Sequence, residues 1–300
     1  MSYLYWRLFT SRKTMTKYIF SGHETFYCRH YWLKKGFDFL NNNNNFNDND
    51  AVTKLGVGKN MVTSIRFWLR AFNITQNEGK NYEDITDFGN FLFGDKGIDP
   101  YLEDINSLWL LHYHLVKKEF SSIYTLFFNN IKNGDREFSD SKIKSQLIYR
   151  IEKESKELPS EKTLANDIKV FRANYVQPRK SINIEDDFIG LLQELHLFEK
   201  HENNKIVVQN AERESISAEL FMYTILDRFN SRNSIAVEEI LTEKNSPGII
   251  FCMNENGVLK KLNEIVEKYP EVRLTEDAGI RELQLTKTMN KIKTLENYYA

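Results

Sequence analysis

The sequence predicts a mainly α-helical protein of tandem winged-helix or helix-turn-helix-like modules with short β-hairpins. Three observations carry this reading. Apolar residues recur at i, i+3/i+4 and i+7 along most of the chain, while strand-like runs are few and short. Around residues 50–72 a short helix, a Gly56-Val57-Gly58 turn and a longer amphipathic helix follow one another. Near the C-terminus, helices lead into two strand-like runs joined by Asp277-Ala278-Gly279, which reads as a hairpin turn.

The periodicity predicts helices at about 28–40, 50–56, 60–73, 83–93, 100–117, 120–132, 141–156, 161–175, 186–196, 215–229, 236–243 and 256–269. Asp99-Pro100 reads as a helix start, with Asp at the cap and Pro in the first turn. Strands are expected at 205–208, 249–252, 271–276 and 280–286. The asparagine-rich tract at 41–47 is low in complexity and reads as a surface loop between helices. The resulting organisation is a leader at 1–14, an N-terminal helical domain at 15–140, a second winged-helix-like domain at 141–212 and a third at 213–300.

The chain has 300 residues and a net charge of −1. Residues 1–80 carry net +7, 81–140 net −6, 141–180 net +5 and 181–300 net −7. Basic blocks suggest phosphate contacts; acidic blocks suggest solvated faces or protein partners. Apolar residues at 41% exclude a wholly disordered chain. Two cysteines, Cys28 and Cys252, exclude a disulfide framework and a zinc ribbon. No apolar run reaches the roughly 18–20 residues of a membrane span, and Arg7, Arg12 and Lys13 interrupt any signal-peptide core. A cytoplasmic protein with no membrane association is expected.

The first helix-turn-helix is the most informative unit. Its second helix places Val62, Ile65, Leu69 and Phe72 on one face and Lys59, Thr63, Arg66 and Arg70 on another. A recognition helix needs that division, with Asn60 and Ser64 near the end where base contacts fall. Arg29, Lys34 and Lys35 on the preceding helix extend the basic surface. Gly58-Lys59 is not a phosphate loop, because Thr53 and Asn60 stand where that motif needs Gly and Ser/Thr.

The second unit has Ser160 as a natural N-cap for a helix with Leu164, Ile168, Phe171 and Tyr175 on its apolar face. Lys162, Asn166, Lys169 and Arg172 lie towards its other side, and Pro178-Arg179-Lys180 adds a basic loop. The third unit is acidic, which points to protein contact or dimerisation.

The densest polar cluster holds His23, Glu24, Cys28, Arg29 and His30. It lacks paired metal-ligand arms, and a turn with a polar cap before a helix explains it better than a metal site or a nucleophile. His112 and His114 stand two apart on a helix and point to different faces. Residues 94–99 lack the alternating acids and the final Glu of a calcium loop. No catalytic, metal or cofactor site is expected, and the protein is read as a non-enzyme.

Several motifs resemble an uncharacterised prokaryotic family, domain-of-unknown-function family four thousand and seven. They are F-S-G-H-E-T-F at 20–26, W-L-K-K-G at 32–36 and L-G-V-G-K-N-M-V-x-S-I-R-x-W at 55–68. D-P-Y-L-E-D at 99–104, W-L-L-H-Y at 109–113, S-P-G-x-x-F at 246–251 and Tyr298-Tyr299 fit the same pattern. The resemblance implies genes near phosphoadenosine-phosphosulfate-reductase-like sulfurtransferases, in phage-defence or DNA-modification islands. It carries over no catalytic residues.

The expected function is therefore that of a DNA-binding component of a prokaryotic phage-defence or DNA-modification system. Lys59, Arg66 and Arg70, extended by Arg29, Lys34 and Lys35, would contact phosphates of double-stranded DNA. Asn60, Thr63 and Ser64 would reach base edges. Replacing Arg66 and Arg70 by Ala would then lower affinity without unfolding the domain. The acidic C-terminal region would hold a protein partner or a second copy. The alternative is an adaptor that assembles a defence complex without touching DNA. A continuous positive face joining residues 29–35 and 59–70 favours DNA; a patchy one favours the adaptor.

Overall fold

The computed structural model describes residues 18–77, 79, 82–154, 157–176, 190–230 and 232–300. About 53% of the chain is helical and its sheets are small and antiparallel, so it is mainly α with short β elements.

The first assembly runs α1 (Trp32–Asn41), α2 (Ala51–Leu55), α3 (Lys59–Ala71), β1 (Thr75–Gln76), β2 (Asp84–Ile85) and α4 (Asp87–Phe93). A left-handed Gly56 (φ 62°) ends α2, and Gly58 begins α3 in extended backbone. The helices α1 and α3 cross tightly at Gly36. A Cβ there would stand 2.7 Å from Ile65 Cγ2 and from Leu69 Cδ1, which is closer than packed carbons tolerate.

Next comes α5 (Ile105–Lys117), buried continuously from Asn106 to Val116. A helix covered all round is a central one, and α5 meets α6, α9 and α11. The second assembly runs α6 (Ser122–Leu126), a π-helical turn over Phe127–Ile131, β3 (Glu137–Phe138), α7 (Asp140–Glu154), α8 (Glu161–Tyr175), β4 (Phe198–Lys200) and β5 (Ile206–Val208). Its sheet has the order β3-β5-β4.

The third runs α9 (Ala218–Arg228), β6 (Ser234–Ala236), α10 (Val237–Thr242), α11 (Pro247–Ile250), α12 (Glu255–Lys268), β7 (Val272–Asp277), β8 (Ile280–Leu285) and α13 (Lys291–Tyr299). Its sheet has the order β6-β8-β7. The expected hairpin forms around Ala278 and Gly279 (φ 49° and 81°), with Asp277 paired to Ile280. The buried side chains of all three assemblies join in one core from Cys28 to Leu295.

Several local expectations fail for identifiable reasons. Residues 249–252 form no strand: Ser246 caps α11 through the Ile249 amide, with Pro247 in its first turn. The helix expected from residue 100 starts at Ile105, capped by Asp104. Asp99 instead accepts the amides of Glu103 and Asp104, each at 3.0 Å, and Leu102 takes a left-handed φ of 57°. Glu83–Ile85 precede α4 rather than open it, because Thr86 is its cap. The helix α13 was not anticipated. Its terminal tyrosines hydrogen-bond the start of α5, Tyr298 through Asp104 and Asn106 and Tyr299 through Ser107. Ser160 does cap α8, accepting the Thr163 amide at 3.1 Å. The leader at 1–14, the loop at 178–180 and positions 186–189 lie outside the described residues; the rest of the helix expected at 186–196 is only a short 3-10 turn, Gln193–Leu195, ended by a left-handed His196.

Candidate nucleic-acid interface

The N-terminal end of α3 is open. Lys59, Asn60 and Thr63 are exposed there, and the Thr63 hydroxyl donates to the Lys59 carbonyl at 3.4 Å. The other side of α3 packs inward through Val62, Ile65, Trp68 and Leu69, which the amphipathic pattern required. Ser64 also turns inward and is fully buried. It therefore leaves the set of expected base contacts, because its position in the helical repeat belongs to the core face.

Arg66 and Arg70 are half-buried and share one partner. Glu83, whose side chain is 1% exposed, takes Arg66 Nε on Oε1 at 2.6 Å and Arg70 Nε on Oε2 at 2.8 Å. Arg66 also donates to Asn47 at 2.9 Å, and Thr75 lies 3.5 Å from Glu83. The two guanidiniums thus fasten α3 to the segment between β1 and β2. A buried carboxylate is costly without such partners. Replacing Arg66 and Arg70 by Ala would therefore leave Glu83 buried without its ion pairs and cost stability as well as any affinity. Sequence reasoning missed Glu83; the only signal was the change of charge sign after residue 80.

On α1, Lys34 pairs with Asp38 at 2.5 Å, and Lys35 donates to the Leu55 carbonyl at 3.1 Å, completing the end of α2. Arg29 lies over the Trp32 ring, 5.2 Å from its centroid. Between α1 and α2 is an open groove of about 710 Å³. Tyr31 and Tyr101 edge it, with Lys34, Lys35 and Lys54. Lys54 pairs in turn with Asp50 at 2.9 Å. The basic segments at 29–35 and 54–70 are therefore neighbours, but Asp38, Asp50 and Glu83 are interleaved with them.

The cluster at 21–30 is a structural knot and no ligand set. His23 is buried, donating from Nε2 to Asp167 at 2.5 Å and accepting the Thr25 amide on Nδ1 at 3.2 Å. Asp167 also accepts the Ser21 amide. These bonds hold left-handed backbone at Ser21, Gly22, Glu24 and Thr25, with φ of 69°, 90°, 48° and 65°. Gly22 is needed twice over, since a Cβ would also lie 2.8 Å from Phe67. Cys28 is buried, which raises its thiol well above the usual range, and its amide donates to Asn174. His30 bonds the Tyr101 carbonyl at 3.0 Å. The expected polar cap on the following helix is absent: Tyr31 precedes α1 with no side-chain cap bond. Both cysteines are free and buried, and the described residues contain no group of three His, Cys, Asp or Glu suited to a metal ion. His112 lies in the core between the Tyr175 hydroxyl and the Ile250 carbonyl, each at 2.9 Å.

In the second assembly, α8 exposes Lys162 and Lys169, with Asn166 half-buried. Arg172 does not join them. It is buried, and its guanidinium meets Asp140 and Asn204.

A family model described as protein of unknown function (DUF4007) matches residues 20–299. The chain belongs to the DUF4007 family. This DUF4007 chain is also similar to two solved structures, an SspB crystal structure and a magnesium ion-bound SspB crystal structure. The identities are 28% and 27%, each with a TM-score of 0.84, and each match covers 93% of this chain and 87% of the other. No curated protein matches the sequence. No helix among the described residues is long and apolar enough to cross a membrane.

Proposed function

We propose that this protein is a DNA-binding component of a phage-defence or DNA-modification system, contacting duplex DNA through the N-terminal end of α3. The observation that carries the reading is the exposed Lys59-Asn60-Thr63 tip of a helix that follows a tight glycine turn. Such a tip supplies a cation for a phosphate and amide and hydroxyl groups for base edges. The element order supports it. We read the path α9-β6-α10-α11-α12-β7-β8, with sheet order β6-β8-β7, as a winged-helix order of elements with the short α11 inserted. The path α6-β3-α7-α8-β4-β5, with sheet order β3-β5-β4, repeats it and puts Lys162 and Lys169 on the second such helix. Because Arg66 and Arg70 serve Glu83, the phosphate contacts fall to Lys59, Lys35 and Lys54. The salt dependence is therefore shallow, about 0.9 log units in affinity per log unit of salt for each phosphate neutralised.

The test is fluorescence anisotropy with a labelled random-sequence duplex at two salt concentrations. Lys59→Ala combined with Asn60→Ala weakens binding tenfold or more, and the folded variant has a smaller salt slope. A second reading, the adaptor, has its own observation: Asp38, Asp50 and Glu83 break up the positive face. Absence of duplex binding at low salt selects the adaptor. The magnesium ion belongs to one of the similar SspB structures and is not carried over to this chain.

A further inference from the structure

The groove between α1 and α2 carries two aromatic rings that duplex contact does not use. Tyr31 and Tyr101 are 68% and 61% exposed, although each ring would gain by burial. The segments that carry them are held. The His30 ring meets Tyr31 edge-on with centroids 5.0 Å apart, and the same imidazole bonds the Tyr101 carbonyl. The loop carrying Tyr101 is pinned by Asp99 through the amides of Glu103 and Asp104. Beside the tyrosines stand Lys34, Lys35 and Lys54, against the single lining carboxylate Asp38. The Lys54–Asp50 pair is exposed on both sides, so a phosphate can take its place at little cost.

We propose that this groove binds unpaired nucleotides of a DNA strand, stacking base faces on Tyr31 and Tyr101 while Lys35 and Lys54 meet the phosphates. Two aromatic platforms flanked by ammonium groups are what single-strand recognition requires. A duplex cannot use them, because its base faces are already stacked. The groove volume of about 710 Å³ leaves room for a base and its sugar. The proposal rests on the DNA-binding reading and extends it to a second form of the ligand, such as the strand freed at a nick, gap or end.

The experiment compares a labelled 20-nucleotide oligothymidylate, an abasic strand of the same length and a duplex of the same length, all at low salt. Tyr31→Ala with Tyr101→Ala, both at exposed positions, weakens the single strand at least tenfold and leaves duplex affinity within twofold. Tyr31→Phe with Tyr101→Phe restores single-strand binding, because the ring and not the hydroxyl stacks. The abasic strand binds as weakly as the alanine variant. Unchanged single-strand affinity in the alanine variant, or equal wild-type affinity for abasic and thymidine strands, overturns the proposal while duplex binding keeps the α3 reading intact. Single-strand binding without duplex binding supports the groove and removes the α3 reading. A chain that binds neither form removes both.

Discussion

His23 donates from Nε2 to the carboxylate of Asp167 at 2.5 Å, across 144 residues of sequence and inside the core. This bond ties the strained turn at 21–25 to α8, so it joins the first assembly to the second. Its ring also lies parallel to Trp68, 6.2 Å away, and edge-on to Phe67 at 5.5 Å.

Replacing His23 by Ala strips Asp167 of a side-chain partner in a buried place. The expected loss is about 3 kcal/mol. Asp167→Asn keeps an acceptor for Ser21 and costs about 1 kcal/mol. Urea denaturation of both variants checks this, and a wild-type midpoint for His23→Ala would refute it.

Glu83→Gln leaves Arg66 and Arg70 without their shared carboxylate. Stability falls by about 1–3 kcal/mol, because charge-assisted bonds to a buried group are lost. On the DNA reading, two released guanidiniums also raise duplex affinity at low salt and steepen the salt slope by up to about 0.9 each. On the adaptor reading, stability drops and no DNA binding emerges. Arg70→Ala is a stability variant too, so any effect of it on affinity must be read beside its unfolding curve.

Two buried histidines set an acid limit. Burial lowers both His112 and His114 from 6.5 to about 3, outweighing the opposing Ile250 carbonyl at His112 and Asp227 at His114, with smaller lowering by Arg213 and Lys117 respectively. Burial would raise Asp227, but Lys117 and Lys291 outweigh it and hold the carboxyl at about 2. All three pKa values are lower folded than unfolded, so the unfolded chain binds more protons as pH falls. The histidine contribution is complete above about pH 6.5 and is lost towards pH 3, each at up to about 1.4 kcal/mol per pH unit. Asp227 adds to the loss below about pH 4. Denaturation midpoints at pH 7.5, 6, 5 and 4 test the sign; a flat profile from 6.5 to 4 contradicts it.

Gly36→Ala forces a methyl group against Ile65 and Leu69 where α1 crosses α3. The expected cost is about 1–3 kcal/mol. Gly134→Ala, where a Cβ meets nothing within 4 Å, serves as the control. Thermal unfolding of the pair tests the close approach directly, and equal midpoints would count against it.

Much of the architecture was legible in local patterns. The 3.6-residue repeat placed α3 and α8, Ser160 announced its own cap, and Asp277-Ala278-Gly279 announced its hairpin. These features depend on neighbours three or four residues apart, which a sequence displays. The family motifs were equally visible, yet their roles were not. The cluster read as a turn at Gly22 with a polar helix cap, whereas Gly22 fits against Phe67 and His23 reaches Asp167. The strand expected at 249–252 failed because Ile249 to Cys252 is apolar in either conformation, and Ser246 and Pro247 decide for a helix.

The sequence by itself determined a mainly helical chain, its amphipathic faces, two helices joined by a glycine turn and its membership of a family. Only the tertiary structure decided which charges are available. Arg66 and Arg70 looked like free cations on a helix face, but Glu83 arrives from another segment and occupies both. Tyr31 and Tyr101, 70 positions apart, became neighbours through His30. Periodicity reports which side of a helix is apolar. It does not report what folds against the other side, because ion pairs and stacked rings are made through space.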